Sequence, residues 1–342
     1  MSLHFGMSPN FGVAAGSPAA LSLPAVAVDP KSELASAASV AVGLIANLQA
    51  AVLGKSEANR LAVNALLAGG HLLVEDVPGV GKTLLAKALA RSIGGSFRRI
   101  QGTPDLLPAE LVGANIYRPD TGQWTFRPGP LFANVVLFDE INRTTPRTQS
   151  ALLEAMEEHQ VSVDGETRSL PEPFVVIATQ NPFEHAGTFV LPEGQRDRFA
   201  VVIHLGAPDA VTERDLLLGV GGVEALNDLT PVVTPGGLAA AVAAVHRVHC
   251  SPAVADYVVA LAAATRRHPE VTTGASPRAA LSLLELARAH AVMEGRGFVV
   301  PDDVKALAVA AWSHRLVLPG GPDVALGAEI VARVTASVAP PP

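Results

Sequence analysis

The sequence predicts an α/β fold: a parallel five-stranded sheet followed by a small all-helical domain. Five short runs between residues 71 and 204 are nearly continuous apolar stretches, as in strands buried on both faces of a parallel sheet. Beyond about Pro208 this pattern fades, and apolar residues recur at helical spacing between Gly and Pro breaks. The candidate strands are His71–Glu75, Phe97–Gln101, Val135–Asp139, Phe174–Thr179 and Ala200–His204.

Segments with helical periodicity separate and follow these strands. The predicted helices are 82–93, which ends at Gly94-Gly95, 147–159, which Thr145-Pro146 precedes, and then 236–249, 252–267, 277–294 and 301–312. Residues 1–30 mix Ala, Ser, Gly and Pro without a period, which predicts a flexible low-complexity leader. We therefore expect an α/β core over 31–207 and a helical domain over 208–342.

Composition narrows the classes of function. With 25 Lys and Arg against 32 Asp and Glu, the net charge of −7 argues against a protein held to nucleic acid by its overall charge. Cys250 is the only cysteine, so no intrachain disulfide can form and nothing supports a cysteine-based metal site, which suits the cytoplasm. Residues 1–29 lack the basic region of a signal peptide, and no uninterrupted apolar run is long enough to span a bilayer. We expect a cytoplasmic protein without a membrane span.

The run from Val74 to Thr83 leads from a predicted strand through a Gly-rich turn into a helix, the pattern of a phosphate-binding P-loop. Glycine at 79 and 81 would let backbone N–H groups approach phosphates at the positive end of the helix. Lys82 would reach the β- and γ-phosphates, and Thr83 would ligate Mg²⁺. The pattern expects glycine at position 76, where this chain has aspartate. A Gly-rich turn without a ligand is the alternative.

Two adjacent carboxylates, Asp139 and Glu140, end the third apolar run. Burying such a pair is costly unless a cation is near. Asp139 would hold Mg²⁺, and Glu140 would polarise the attacking water. The next strand delivers Asn181 at its carboxyl end, where it could orient water against the γ-phosphate. The alternatives are an ordinary acidic strand end and a turn-forming asparagine before proline.

These elements, in this order, resemble the AAA+ ATPases, and the intervening segments resemble the MoxR branch. The resemblance covers the chain from about Leu53 to the end of the helical domain. The most distinctive segments are Gly70–Thr83, Gln101–Pro108, Phe138–Arg143, Ala178–Pro182, Gly187–Glu193, Asp197–Phe199 and Gly274–Ala279. The nucleotide-binding residues that follow from the motifs are Pro78, Gly79, Val80, Gly81, Lys82, Thr83, Leu84 and Asp139, with Thr83 and Asp139 also binding metal.

The resemblance implies further roles for three residues. Asn181 is the sensor 1 residue, and Arg278, at the start of a predicted helix, is the sensor 2 residue that contacts nucleotide. Arg198 resembles the arginine finger, which would enter the neighbouring subunit's site and neutralise charge on the transferred phosphoryl group. Arg196 is a rival for that role. From the residues alone, the alternative for both is a solvated surface pair.

Two predicted hairpins, 114–128 and 160–170, have turns at Asp120-Thr-Gly122 and Asp164-Gly165. They resemble the helix-2 insert and the pre-sensor 1 hairpin of this AAA+ clade, which face the pore of the ring. The alternative is a pair of ordinary hairpins that cap the domain.

The resemblance implies an Mg-ATP-dependent motor that forms a ring homo-oligomer, a hexamer. Hydrolysis would remodel, activate or mature a partner protein, commonly one with a von Willebrand factor A domain, in some cases for metal insertion. Two other classes stay open: a nucleotide-gated scaffold with little turnover, and a DNA-stimulated motor. Against the second, Arg98-Arg99 and Arg266-Arg267 are the only adjacent basic pairs after the leader. A GTPase is not favoured because the chain has no Asn-Lys-x-Asp motif.

Overall fold

The structure is a computed structural model that describes residues 30–181, 188–321 and 323–341. Apart from Pro30, the predicted leader lies outside the described residues, as do Pro182 and Gly187 of the family motifs.

Five parallel strands form the central sheet. They are β1 (His71–Glu75), β2 (Phe97–Gln101), β5 (Val135–Asp139), β8 (Val175–Gln180) and β9 (Phe199–Ile203), in the spatial order β2-β5-β8-β1-β9. Every residue of β1, β5 and β9 is buried, whereas the edge strand β2 buries only Ile100 fully. The predicted five-stranded parallel sheet is confirmed.

Helices precede, separate and follow the strands. The helices of the first two thirds are α1 (Pro30–Ala51), α2 (Ser56–Leu67), α3 (Lys82–Ser92), α4 (Pro108–Val112), α5 (Pro146–Glu158) and α6 (Glu193–Arg196). The C-terminal helices are α7 (Ala210–Leu217), α8 (Gly222–Asp228), α9 (Pro235–His246), α10 (Pro252–Arg267), α11 (Pro277–Met293), α12 (Pro301–Trp312) and α13 (Val324–Ser337). Thr234, Ser251 and Ser276 each cap a helix whose first residue is proline, which explains the sharp starts of α9, α10 and α11.

Two antiparallel hairpins project from this framework at the predicted places. They are β3 (Gly113–Arg118) with β4 (Gln123–Pro128), and β6 (Gln160–Val163) with β7 (Glu166–Ser169). Asp164 and Gly165 both adopt positive φ, as a two-residue hairpin turn requires. Asn115 donates a hydrogen bond of 2.7 Å from Nδ2 to Oδ2 of Asp164, which joins one hairpin to the other.

The two faces of the sheet pack into different cores. Alternate strand residues point to opposite faces, so Leu72 and Val74 belong to one core and Leu73 to the other. The larger core also takes side chains from α1, α2 and the C-terminal helices, where α1 packs on α9 and α2 packs on α11. The hydrophobic core therefore continues across the predicted boundary at residues 207/208.

Helix α1 is long and apolar enough to cross a membrane, by length and composition, over Lys31–Ala51, with a mean hydropathy of 1.5. The helix is not an uninterrupted apolar run, because polar residues such as Lys31, Glu33 and Asn47 interrupt it, but they are few enough that its mean hydropathy stays high. In the structure, Ala37, Leu44 and Leu48 are fully buried in the larger core. A core helix meets the same criteria, and these contacts give α1 that role in the fold.

Candidate active site

The Gly-rich turn between β1 and α3 leaves its backbone open. Gly79 and Gly81 have φ values of 90° and 104°, a region that favours glycine. A Cβ atom at either position would meet nothing within 4 Å, so packing does not exclude a side chain there. Glycine is favoured at both positions by the positive φ and by the access that it gives a ligand to the backbone N–H groups. Lys82 begins α3 and donates from Nζ to the carbonyl oxygen of Asp76 at 2.9 Å, across this turn.

Asp76 replaces the expected first glycine of the turn, and its side chain has a structural partner. Its Oδ2 atom accepts hydrogen bonds from the backbone N–H groups of Leu205 and Gly206, the latter at 2.9 Å. These residues begin the segment that leads from β9 to α7. The aspartate therefore ties the start of the turn to the connection between the sheet and the C-terminal helices.

Asp139 ends β5 and is 6% exposed. Its carboxylate accepts a hydrogen bond of 3.1 Å from the Thr179 hydroxyl and pairs with Nε of Arg99 at 2.7 Å. A buried carboxylate that has a cationic partner could exchange that partner for a metal ion. Arg99 was not a predicted site residue.

Glu140 follows in a left-handed conformation, with φ of 58°, that directs its side chain differently from that of Asp139. Its N–H donates to the Thr179 hydroxyl at 3.0 Å, and its Oε2 accepts from Nε2 of Gln101 at 2.8 Å. A Cβ atom on Gly102 would lie 2.3 Å from the Glu140 carbonyl oxygen, so this turn requires glycine beside it. The two strands that flank β5 thus fix Glu140: β8 holds its backbone N–H through Thr179, and β2 holds its carboxylate through Gln101.

These side chains surround one cavity of about 390 Å³, here called the nucleotide pocket. Of the predicted residues, Pro78, Gly79, Gly81, Lys82, Thr83, Leu84, Asp139, Glu140 and Asn181 line it. Val80 does not; it packs against the larger core. The residues that sequence reasoning missed are Lys87, Arg99, Gln101, Thr179, Val223 and Leu226. The lining combines two ammonium groups, a guanidinium group, two hydroxyls, two carboxylates and open backbone N–H groups, which fits phosphates and a hard divalent cation.

Arg198 and Arg278 do not line the nucleotide pocket of their own chain. Both bind Glu157 near the end of α5: Nε and Nη2 of Arg198 lie 2.9 and 2.7 Å from Oε2, and Nη2 of Arg278 contacts Oε1. We call these three residues the arginine cluster. The Arg198 and Arg278 side chains are 27% and 48% exposed. The two arginines hold the pKa of the Glu157 carboxyl below its usual range.

Arg196, the rival of Arg198, is 4% exposed. Burial lowers the pKa of its guanidinium, while the nearby Glu75 and Glu193 carboxylates oppose that shift. Burial also raises the pKa of Glu75 itself. An arginine enclosed in this way cannot project from the surface without disturbing the fold.

The nucleotide pocket and the arginine cluster lie at opposite ends of the strands of the central sheet. The pocket lies at the carboxyl ends of the strands, beyond Asp139 and Glu75. The cavity beside the arginine cluster is lined by His71 and Ala200, near the amino ends of β1 and β9, and shares no lining residue with the nucleotide pocket. Strand β1 alone separates the two ends by about 13 Å. Arg198 therefore has no route to the pocket of its own chain.

Two family models match this chain. One, described as "ATPase family associated with various cellular activities (AAA)", matches residues 71–201, and one for the AAA lid domain matches residues 263–334. A solved structure of a candidate ATPase from Cytophaga hutchinsonii superimposes with a TM-score of 0.80 at 34% sequence identity, covering 89% of this chain and 96% of that one. The lid match lies within the all-helical C-terminal part, as predicted for an AAA+ fold.

Curated relatives share most of the chain. It is 45% identical to the uncharacterized protein YeaC of Bacillus subtilis, over 80% of this chain and 86% of the relative. It is 41% identical to the chaperone MoxR1 of Mycobacterium tuberculosis, over 78% of this chain and 73% of the relative. The protein MoxR of Methylorubrum extorquens is 36% identical, over 78% of this chain and 84% of the relative. On the evidence of its nucleotide pocket, its fold and these relatives, the chain belongs to the MoxR family of AAA+ ATPases.

Proposed function

We propose that this chain binds Mg-ATP and hydrolyses it between the subunits of a homo-oligomeric ring, a hexamer, to remodel, activate or mature a partner protein. One observation carries the proposal. Lys82, Thr83, Asp139, Glu140 and Asn181 share one pocket, whereas the partly exposed Arg198 lies at the opposite ends of the strands. Within one chain, the nucleotide pocket therefore has no arginine finger, and Arg198 has no nucleotide on which to act.

The pocket residues would divide the chemistry among them. Lys82 would bind the β- and γ-phosphates, and Thr83 and Asp139 would hold Mg²⁺, which neutralises phosphate charge when bound. Glu140 would polarise the attacking water, with its carboxylate oriented by the hydrogen bond from Gln101. Asn181 would orient that water toward the γ-phosphate.

Arg198 and Arg278 would act on the nucleotide of the neighbouring subunit. A second copy placed against the nucleotide pocket by its arginine cluster would supply the cations that the transferred phosphoryl group needs. The burial of Arg196 supports Arg198 as the finger. The sensor 2 role that resemblance implies for Arg278 would likewise be exercised across the interface, since Arg278 does not reach the pocket of its own chain.

The test mixes two inactive variants, Glu140→Gln and Arg198→Ala. In mixed rings, some interfaces pair an intact Glu140 with an intact neighbouring Arg198, so ATP hydrolysis should partly return. Glu140→Gln mixed with Arg267→Ala is the matched control, because Arg267 is exposed on α10 and its variant should stay fully active by itself. Failure of Arg198→Ala to complement, or equal turnover per chain in dilute monomeric protein, would refute the interfacial mechanism.

The partner and the compartment are also part of the proposal. A protein with a von Willebrand factor A domain is the proposed partner, with metal insertion as one possible purpose, and the cytoplasm is the proposed location. A scaffold with little turnover would bind ATP but show no steady-state phosphate release. A DNA motor gains no support from the basic pairs: Arg99 pairs with Asp139, and Arg266 donates from Nε to the Ala275 carbonyl at 2.8 Å.

A further inference from the structure

Glu157 bridges two arginines that come from distant parts of the sequence. Arg198 precedes β9 and Arg278 lies in the first turn of α11, yet each donates to a different oxygen of the same carboxylate. Arg198 uses both Nε and Nη2 toward Oε2, which fixes the plane of its guanidinium. A carboxylate between two guanidinium groups also offsets their mutual repulsion.

The segments that carry these arginines are joined by neighbouring side chains as well. Asp197, next to Arg198, accepts a hydrogen bond of 3.0 Å from the hydroxyl of Ser276, which caps α11 two residues before Arg278. The buried Arg315 pairs with the other oxygen of Asp197 at 3.2 Å. Side-chain contacts of Glu157 and Asp197 therefore hold Arg198 and Arg278 side by side.

Glu157 itself sits on an element that is fixed at both ends. At the start of α5, the buried Gln149 side chain donates to the carbonyl oxygens of Ile141 and Thr144, each at 3.2 Å, in the turn that follows Glu140. At the other end, the Met156 carbonyl is 3.1 Å from Nε2 of His71. Helix α5 therefore runs from the chain's own catalytic turn to the arginine cluster, a distance of about 17 Å.

We propose that Glu157 is a positioning residue that holds Arg198 and Arg278 as a preorganised pair for the nucleotide of the neighbouring subunit. This inference rests on the proposed function, in which both arginines act across the interface. The Glu157 side chain is 32% exposed, and ion pairs at such a surface contribute little to stability. Its contribution is geometric, since each arginine retains further N–H groups for a phosphate while Glu157 fixes its orientation.

The first test compares Glu157→Ala with Glu154→Ala, an exposed glutamate one turn earlier on α5. Glu157→Ala should lower kcat about tenfold, less than complete loss of a finger, with KM changed less than about twofold. Its unfolding midpoint should match that of Glu154→Ala, which should keep normal kcat. A kcat for Glu157→Ala equal to that of Glu154→Ala would overturn the proposal, as would a loss explained by a lower unfolding midpoint.

Mixed rings show on which side of the interface Glu157 acts. Glu157→Ala mixed with Glu140→Gln should exceed the summed activity of the two variants, because some interfaces combine an intact pocket with an intact arginine cluster. Glu157→Ala mixed with Arg198→Ala should show no gain, because every arginine cluster is defective. The opposite pattern would place Glu157 in its own nucleotide site and refute the inference. The mixture of Glu140→Gln with Arg198→Ala tests the interface separately, so its failure would be a failure of the proposed function.

A readout without turnover is ATP-induced association of Glu140→Gln protein, measured by sedimentation. Combining Glu157→Ala with Glu140→Gln in one chain should raise the protein concentration at which half of the chains are associated about threefold. The reason is that two unrestrained arginines lose more side-chain freedom when they bind a phosphate. Combining Glu154→Ala with Glu140→Gln should leave that concentration unchanged. Equal association of the two double variants would contradict the proposed positioning role.

Discussion

The nucleotide pocket and the arginine cluster lie at opposite ends of the strands of one sheet, and the chain builds them in different ways. Most of the pocket comes from the Gly-rich turn, the first turns of α3 and the carboxyl ends of strands, with Lys82 and Asp139 as examples. The arginine cluster joins three side chains from α5, the turn before β9, and α11, with 121 residues between Glu157 and Arg278. The main residues of the pocket thus belong to local motifs that the sheet then brings together, whereas no local motif links the three residues of the arginine cluster.

This difference predicts how each region fails when it is mutated. A change in the pocket should act on the nucleotide of the same chain, while a change in the arginine cluster should act on that of the neighbour. Four substitutions test the contrast, in order of decreasing effect on catalysis.

Lys82→Ala should have the largest effect, because it removes the cation that faces the phosphates and leaves the sheet unchanged. Affinity for ATP should fall roughly 100-fold, the loss of charge-assisted hydrogen bonds. Calorimetric titration measures this, with Lys87→Ala on the next turn of α3 as a milder comparison. Wild-type affinity in the Lys82 variant would disprove the P-loop role.

Arg278→Ala should lower kcat by roughly 30-fold while ATP binding to the chain's own pocket stays normal, since the lost contact is made across the interface. Mixing it with Glu140→Gln should restore activity, and mixing it with Arg198→Ala should not. Recovery in the second mixture, without recovery in the first, would instead place Arg278 at its own nucleotide.

Arg99→Gln should have a small effect of opposite sign. Arg99 pairs with Asp139, one of the proposed ligands of Mg²⁺, so its guanidinium competes with the metal for that carboxylate. Its removal should lower the Mg²⁺ concentration needed for half-maximal nucleotide binding about threefold. Arg98→Gln, on the same strand and exposed, is the control. A higher Mg²⁺ requirement would show that Arg99 supports the metal site.

Asp303→Asn should leave kcat per folded chain unchanged and alter only stability. Asp303, like Glu157, pairs with two basic side chains, Arg296 and His290, but its own side chain is 1% exposed. Although burial raises the pKa of Asp303, the hydrogen bonds from Arg296 and His290 outweigh it and lower the pKa to about 2.

Because the pKa of Asp303 is lower in the folded than in the unfolded chain, its ionised carboxylate stabilises the fold at pH values above the unfolded pKa. This stabilisation disappears as pH falls from about 4 to about 2. Asp303→Asn should therefore lower the free energy of unfolding by about 2 kcal/mol at neutral pH and flatten its decline in acid. Denaturant titrations at several pH values measure both effects. A change in kcat without a change in stability would contradict the contrast with Glu157.

The sequence predicted which residues line the pocket where those residues are consecutive in the chain. Strand β1, the Gly-rich turn and Lys82 follow one another in the chain, so the local sequence pattern predicted their arrangement. Gln101 and Arg99 were missed because their role depends on β2 lying beside β5, and strand order is not encoded in a local pattern. The aspartate at position 76 was seen only as a departure, since its partners Leu205 and Gly206 lie about 130 residues away.

Local residue patterns by themselves determined the α/β class, the five strands, six of the thirteen α-helices of the described residues, and the family. Hydrophobic periodicity, glycine and proline placement, and short motifs act over a few residues, and the sequence displays them directly. Only the tertiary structure decided that Arg196 is buried while Arg198 is partly exposed, and that Glu157 binds both Arg198 and Arg278. The physical reason is that burial and long-range ion pairing depend on which segments pack together, and that packing is a property of the whole fold.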